Sequence, residues 1–379
     1  MSLYLDYNAS TPIDERVLEA MIAAYRNFFG NADSRTHDHG GAARREVEAA
    51  REHAASLLGV QKNEVVFTSG ATESNNMAIL GLAEHGIKSG KRHILTTAIE
   101  HKAGLDSAKS LESRGFEVEC INPGESGRID AEKLLRRVRP DTLLVSVQHV
   151  NNETGIIQPV DKIGHALAQT DTLFHTDAVQ SCGKLVDEVR ALQYDLLSLS
   201  AHKMYGPQGL GVLVARRKKN KRPPLRPLVF GGGHEGGLRA GTLPVALIIG
   251  LGEACRLAGQ EYEANQKAYG ENKSLVLEAV KSSGVSYEIN GDPNFCMNNT
   301  LNISFLGLDS EALMIAAKQY CSISSGSACT SSDYSHSHVL MAMGISAERI
   351  ESAVRLSWGR ERLDLSAVNA LLHIVKVQQ

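Results

Sequence analysis

The chain has 379 residues, 42% of them hydrophobic, and 40 Lys and Arg against 43 Asp and Glu leave a formal net charge of −3. That composition supplies a large buried core and excludes disordered, collagen-like and disulfide-scaffold classes. The near balance of charge gives no global drive toward nucleic acid, so direct nucleic-acid binding is not expected.

The opening residues (MSLYLDYNAS) show neither the basic nor the apolar block of a secretory leader. The best apolar run, 245–251 (VALIIGL), falls far short of the roughly 18–20 residues that span a bilayer, so no membrane partner is expected. Cysteines at 120, 182, 255, 296, 321 and 329 lie far apart with no CxxC pair. This spacing argues against a disulfide framework or a metal site, and for a reducing, cytoplasmic setting.

Short apolar or β-branched runs predict strands at 64–68 (EVVFT), 93–97 (HILTT), 116–121 (FEVECI), 142–147 (TLLVSV), 172–175 (TLFH) and 195–199 (DLLSL). Helix-period segments lie between them, as at 101–114, 131–138 and 160–169. The alternation predicts an α/β fold with a mostly parallel central sheet covered by helices on both faces. The basic run 216–222 (RRKKNKR) reads as a solvated loop between strands, since no aromatics interleave with its charges. From Pro244 an apolar stretch predicts a long helix leading out of this domain.

Beyond residue 260 the pattern changes. Strands at 286–290 and 300–304, a helix at 309–320, a Ser/Gly-rich loop at 324–335, a strand at 354–357 and a final helix predict a smaller α+β domain. The expected division is an N-terminal segment, 1–15, packing with the small domain, a large domain, 16–258, and a small one, 259–379.

Three features carry chemistry. Lys203 follows an apolar strand and precedes a Gly/Pro-rich turn, the edge where α/β sheets place ligands. A lysine desolvated there can form a Schiff base with an aldehyde cofactor, although alone it reads better as an exposed loop residue. Asp177 also follows a strand, where a carboxylate can pair with a protonated pyridine nitrogen or simply cap a helix. Residues 68–76 (TSGATESNN) run from a strand into a helix start, whose free N–H groups bind phosphate readily. Each signal is weak alone; together, in this order, they point to pyridoxal phosphate (PLP). A G-x-G-x-x-G match in FGGGHEGG lacks the following helix and acidic partner of a dinucleotide site.

Eight motifs then stand in order: YLDYNASTP, TSGATESNN, Glu100-His101-Lys102, HVNNETG, HTDAVQS, SAHKMYGPQG, GGGHEGGLRAGTLP and SSGSACTS. Through them the chain resembles the cysteine desulfurases, fold-type I PLP enzymes of the aminotransferase class V superfamily, over essentially its whole length. The resemblance implies a fold-type I PLP-transferase in which Lys203 holds the cofactor and moves the substrate's α-proton. It implies that Asp177 pairs with the pyridine nitrogen, Gln180 with the phenolic oxygen, and that His101 stacks on the ring and serves in acid–base steps. Ala71, Thr72, Ser200 and His202 are the implied phosphate ligands, and Thr242 the residue that reaches the phosphate of the other subunit of a homodimer. Asn152 and Arg355, helped by Asn8, are implied for the substrate carboxylate.

By the same resemblance, Cys329 attacks the sulfur of L-cysteine, leaving a persulfide and L-alanine, and passes the sulfur to an acceptor protein. The polar loop around it suits an accessible thiolate, and the other five cysteines read as structural. An aminotransferase or selenocysteine lyase of the same superfamily would share Lys203 and Asp177 without needing SSGSACTS. Departures from the family pattern are Ala201 for glycine, Val179, and His336 where proline is common. His336 and His338, soon after Cys329, are expected to favour its thiolate if either approaches as an imidazolium. The acceptor belongs to iron–sulfur assembly, tRNA thiolation or DNA phosphorothioation; TTAIEHKAGL and GFEVECINPGESGRID look closest to the last.

Overall fold

A computed structural model describes residues 2–325 and 336–379. In chain order the strands of the first part are β1 (Leu3–Tyr4), β2 (Val65–Thr68), β3 (His93–Thr97), β4 (Glu117–Ile121), β5 (Thr142–Ser146), β6 (Leu173–Asp177), β7 (Leu196–Ser200) and β8 (Gly211–Ala215). Those of the second part are β9 (Tyr287–Ile289), β10 (Thr300–Phe305), β11 (Cys321–Ser322) and β12 (Ala353–Ser357). The main sheet has the order β2-β8-β7-β6-β5-β3-β4. Every pairing in it is parallel except the two made by β8. Its central strands are buried at every position of β3, β5, β7 and β8, as expected of a sheet covered on both faces.

The strands expected at stated residues are all present, with shifts that have physical causes. β6 runs two residues past the apolar run, because Thr176 and Asp177 pair with Leu197 and Ser198 of β7 despite their polarity. β8 enters the sequence reading only as the strand implied before the basic run, since it follows the Lys203 turn with no helix between; the strand expected after that run is not there, and the chain goes on to the helix Val245–Ser283. The helix expected at 101–114 is Lys102–Ser110 followed by a 3-10 turn, Leu111–Arg114, that Gly115 ends with φ 80.

One helix, Val245–Ser283, serves two cores. Ile248, Leu251 and Cys255 pack under the main sheet, while Tyr269, Val276 and Val280 join a second cluster with Phe305, Leu356 and Trp358. That second cluster is built on a three-stranded antiparallel sheet, β12-β10-β9, and the final helix, Leu365–Gln378. β1 pairs in parallel with β11, and Leu5 is buried in the same cluster.

The basic run turns back on itself after β8, with Lys218 bridged to Lys221 and positive φ at Lys219 and Asn220. Much of its charge is used within the chain. Lys218 pairs with Asp195 at 2.8 Å, Arg216 lies over the Tyr194 ring and Arg222 donates to the Gly236 carbonyl. Among the described residues no helix is long and apolar enough to cross a membrane.

The helix Asp38–Leu58 packs on Val245–Ser283, and Gly252 there lies against Ala50. A Cβ at position 252 would sit 2.6 Å from the Cα and Cβ of Ala50, so the helices must part to admit it. Gly252→Ala is therefore expected to destabilise the fold by about 1–3 kcal/mol, the usual cost of overpacking. Urea unfolding of parent and variant measures it; equal midpoints would show that the crossing yields freely.

Candidate active site

Because six of the seven strands run the same way, with β8 alone reversed, their carboxyl ends share one edge of the main sheet, and a cavity of about 510 Å³ opens there. Ser69–Thr72 come to it from β2, His101 from β3, Gln148 and Asn152 from β5, Asp177 from β6, and Ser200, His202 and Lys203 from β7. From outside the sheet, Asn8 arrives on the N-terminal segment and Arg355 on β12.

The anion end of the cavity is backbone. Gly70 takes φ 154, a conformation that side chains resist, and opens the helix Ala71–Leu80 with no side chain capping it. The first N–H groups of that ten-residue helix therefore face the cavity mouth beside Ser200 and His202. Burial, with Lys203 and Lys184 nearby, pushes His202 down to about 4, so its ring is neutral.

At the other end Asp177 is fixed at both oxygens. One accepts from the Val179 backbone N–H at 3.0 Å, the other from Asn75 Nδ2 at 2.7 Å. Lys203 sits on a 3-10 turn at the end of β7, and its Nζ donates to the carbonyls of Asn8 at 2.5 Å and Ala9 at 2.6 Å. His101 caps the helix Lys102–Ser110, its Nδ1 accepting from the Ala103 N–H at 3.1 Å. The proton of the neutral ring is thereby placed on Nε2, and burial lowers its basicity.

Arg355 is 4% exposed. Its Nη1 donates to the Asn152 carbonyl at 2.8 Å and its Nη2 pairs with Asp6 at 2.5 Å. Asn8 donates to the same Asn152 carbonyl at 3.2 Å, so these three residues form one unit.

Polar atoms with no partner gather here. Asn75 Oδ1, Gln180 Oε1 and Arg355 Nε are buried without a hydrogen-bond partner among the described residues, and all three side chains line the cavity. Such atoms cost about 1–3 kcal/mol each when left unpaired, so the cavity is built for a polar ligand. An anion cradle, a fixed carboxylate, an amine and an imidazole fit the phosphate, pyridine nitrogen, aldehyde and ring of PLP. Gln180 gives one Nε2 hydrogen to the Asn8 carbonyl at 2.9 Å, and the second N–H of the same amide is the donor left for a phenolic oxygen.

Among the described residues, one expected residue does not line this cavity. Thr242 is exposed and away from it in the single chain. Cys329 lies outside the described residues. Of the two histidines after it, His336 is exposed, whereas His338 directs Nε2 to the Glu100 carbonyl at 3.0 Å. Burial lowers His338, which disfavours the imidazolium that the expected help to a thiolate calls for. The five described cysteines all have raised thiol pKa values through burial, Cys255 to about 12 and Cys321 to about 11.

Sequence reading passed over several residues. Asn75 lay inside TSGATESNN, and its place one turn after Ala71 was the available signal. Asp6 and Glu153 lay inside YLDYNASTP and HVNNETG, but nothing local pointed to their partners Arg355 and Ser337, which are remote in sequence. Glu153 is buried beside Asn152, accepts from Ser337 at 2.5 Å, and is pushed up to about 7 by burial. An acid whose folded pKa exceeds its unfolded one adds stability below pH 4.5 that is lost as pH rises through 7. Glu153→Gln lacks that loss, so its melting temperature relative to the parent is expected to climb between pH 4.5 and 7. A difference that stays flat with pH would mean Glu153 is ionised throughout.

Comparison with known proteins gives the chain its relatives. The class-V aminotransferase family model matches residues 3–362. The cysteine desulfurase IscS of Anaeromyxobacter sp. (strain K) is 45% identical over 358 residues, 94% of this chain and 88% of that one. Among solved structures, a NifS-like protein superimposes with a TM-score of 0.90 at 36% identity, covering 100% of this chain and 99% of its own. DndA from Streptomyces lividans does so with a TM-score of 0.82 at 44% identity, over 93% of this chain and 98% of its own. With its mixed α/β fold and this set of cavity residues, the chain belongs to the class-V aminotransferases and, among them, to the PLP-dependent cysteine desulfurases.

Proposed function

We propose that this protein takes sulfur from L-cysteine, releasing L-alanine, with Cys329 as the first sulfur acceptor. The observation that carries the reading is the meeting of the Ala71 helix start, Asp177, Lys203, His101 and Arg355 around one cavity. PLP bound there supplies an electron sink for the carbon that loses its proton.

The chain's own groups divide the remaining work. Ala71 and Thr72, with Ser200 and His202, hold the phosphate, and Asp177, steadied by Asn75, faces the pyridine nitrogen. Lys203 holds the cofactor and carries the substrate's α-proton, while His101 exchanges a proton at Nε2. Arg355 receives the substrate carboxylate together with Asn152 and Asn8; Nε is the donor its other contacts leave open. The Cys329 thiolate takes the sulfur as a persulfide and hands it to an acceptor protein. The raised pKa values of the five described thiols favour Cys329, since the thiolate is the nucleophile.

Further parts of this reading rest on surface features. A homodimer in which Thr242 reaches the other subunit's phosphate would cover Val229 and Phe230, now 47% and 82% exposed beside the glycine-rich segment. The lobes divide at residues 258 and 259, within the long helix, and 1–15 belongs with the smaller lobe that Leu5 helps to fill. A cytoplasmic setting accords with the free state of the five described cysteines. The two segments named above favour DNA phosphorothioation as the sulfur's destination, ahead of iron–sulfur assembly or tRNA thiolation.

Purified protein given L-cysteine and a reductant is expected to form alanine and sulfide in equal amounts. Amino-group transfer without alanine would assign it to another class-V activity. Cys329→Ser is expected to keep bound PLP and to bind cysteine, yet to show no protein-bound persulfide by mass spectrometry. Persulfide on that variant would name another cysteine as the acceptor.

A further inference from the structure

Lys184 is a buried lysine that no step above uses. It lies one turn after Gln180, is 3% exposed, and donates from Nζ to the carbonyls of Gln180 at 3.1 Å and Lys203 at 3.2 Å. Its own carbonyl accepts from Gln266 Nε2 on the long helix at 3.1 Å. Among the described residues it has no acidic partner within ion-pair distance.

An enclosed space of about 20 Å³ separates it from Asp14, Glu261, Tyr205, Tyr269 and Arg360. Arg360 holds both acids, at 2.5 and 3.1 Å, so their charge is spent there. The other groups that act on Lys184 are Cys182, a thiol kept neutral by burial, and Lys203 itself. A buried ammonium facing only carbonyls and another lysine is costly, and two hydrogen bonds to main chain are a small return unless their placement matters.

We propose that Lys184 is a positioning residue for the cofactor lysine: it clamps the backbone of Lys203 to that of Gln180 and sets a positive charge behind the Lys203 amine. The inference rests on the reading of Lys203 as the residue that holds PLP. The clamp joins the turn after β7 to the loop after β6, so the amine and the Gln180 amide keep one spacing whatever occupies the cavity. The charge disfavours a second ammonium beside it, which leaves Lys203 readier to react as a free amine. Burial and the Lys203 charge push Lys184 down to about 7, so its charge acts on Lys203 around and below neutral pH while the backbone clamp holds throughout.

The test compares the parent holoenzyme with Lys184→Met, Lys184→Gln and Lys203→Ala. PLP affinity on reconstitution, the pH midpoint of the visible band of bound PLP without substrate, and the apoprotein melting temperature are measured. Lys184→Met is expected to bind PLP about tenfold more weakly, the loss of one good hydrogen bond, with the midpoint moved up by about one unit. Lys184→Gln keeps N–H donors without the charge, so it is expected to regain affinity while its midpoint stays raised. Parent-like affinity and midpoint in Lys184→Met, or a lower melting temperature as its only change, would overturn the proposal. Should Lys184→Met fail to fold, the Lys184→Gln midpoint decides: raised supports the clamp and charge, unmoved overturns them. Lys203→Ala is read separately, since a visible band that survives there removes the assignment of Lys203 itself.

Discussion

Parallel pairing is the constraint from which the site follows. When neighbouring strands run the same way, the chain must cross back by a helix each time, and every carboxyl end falls on one edge. β2, β3, β5, β6 and β7 therefore deliver an anion cradle, an imidazole, an amide, a carboxylate and a lysine to one cavity although they span residues 68 to 203. The antiparallel β8 closes the arrangement from the other direction. Its first residue, Gly211, lies against Gly70, where a Cβ would sit 2.7 Å from the Gly70 backbone.

The second core completes what the sheet cannot supply. Arg355 belongs to β12 of the small antiparallel sheet, yet it reaches the Asn152 carbonyl on the loop after β5. The N-terminal segment stitches the two together: Asp6 pairs with Arg355, Asn8 donates to Thr300 and Asn152, and the Asn8 carbonyl accepts from Gln180 and Lys203. Substrate and cofactor ends of the cavity are thus coupled through eight residues at the start of the chain. A change in that segment acts on both ends together.

Burial of ionisable groups around the cavity sets their protonation before any ligand arrives. Glu100, which accepts from Thr97 and the Gln148 backbone, is pushed up to about 8, and Glu153 to about 7. His149 and His175 are driven down to about 4. All four shifts have desolvation as their largest cause, and all four move the group toward its uncharged form. Between these groups Asp177 accepts from Asn75 and the Val179 N–H, and Arg355 donates to Asp6 and the Asn152 carbonyl, so both side chains are oriented before a ligand arrives.

Local pattern alone determined a good deal. Apolar runs of strand length between helix-period segments specify a parallel α/β sheet, because only crossover helices can join strands of that order. The placing of Lys203 and Asp177 after such runs located the reactive edge, and ordered motifs identified the family. Three things needed the tertiary structure. β8 was only implied, as a strand bounding the basic run, because it breaks the alternation that exposed the other strands. The roles of Asp6, Glu153 and Lys184 carry no local signal, although the first two lie inside quoted motifs, since what gives each its role is a partner that only folding brings near. The setting of His338 was decided the same way: its place soon after Cys329 suggests an imidazolium, but packing against the Glu100 carbonyl desolvates it and disfavours the charged form. Sequence spacing fixes which groups lie on which edge; charge state and pairing depend on distance through space, and that distance exists only once the two cores have closed on each other.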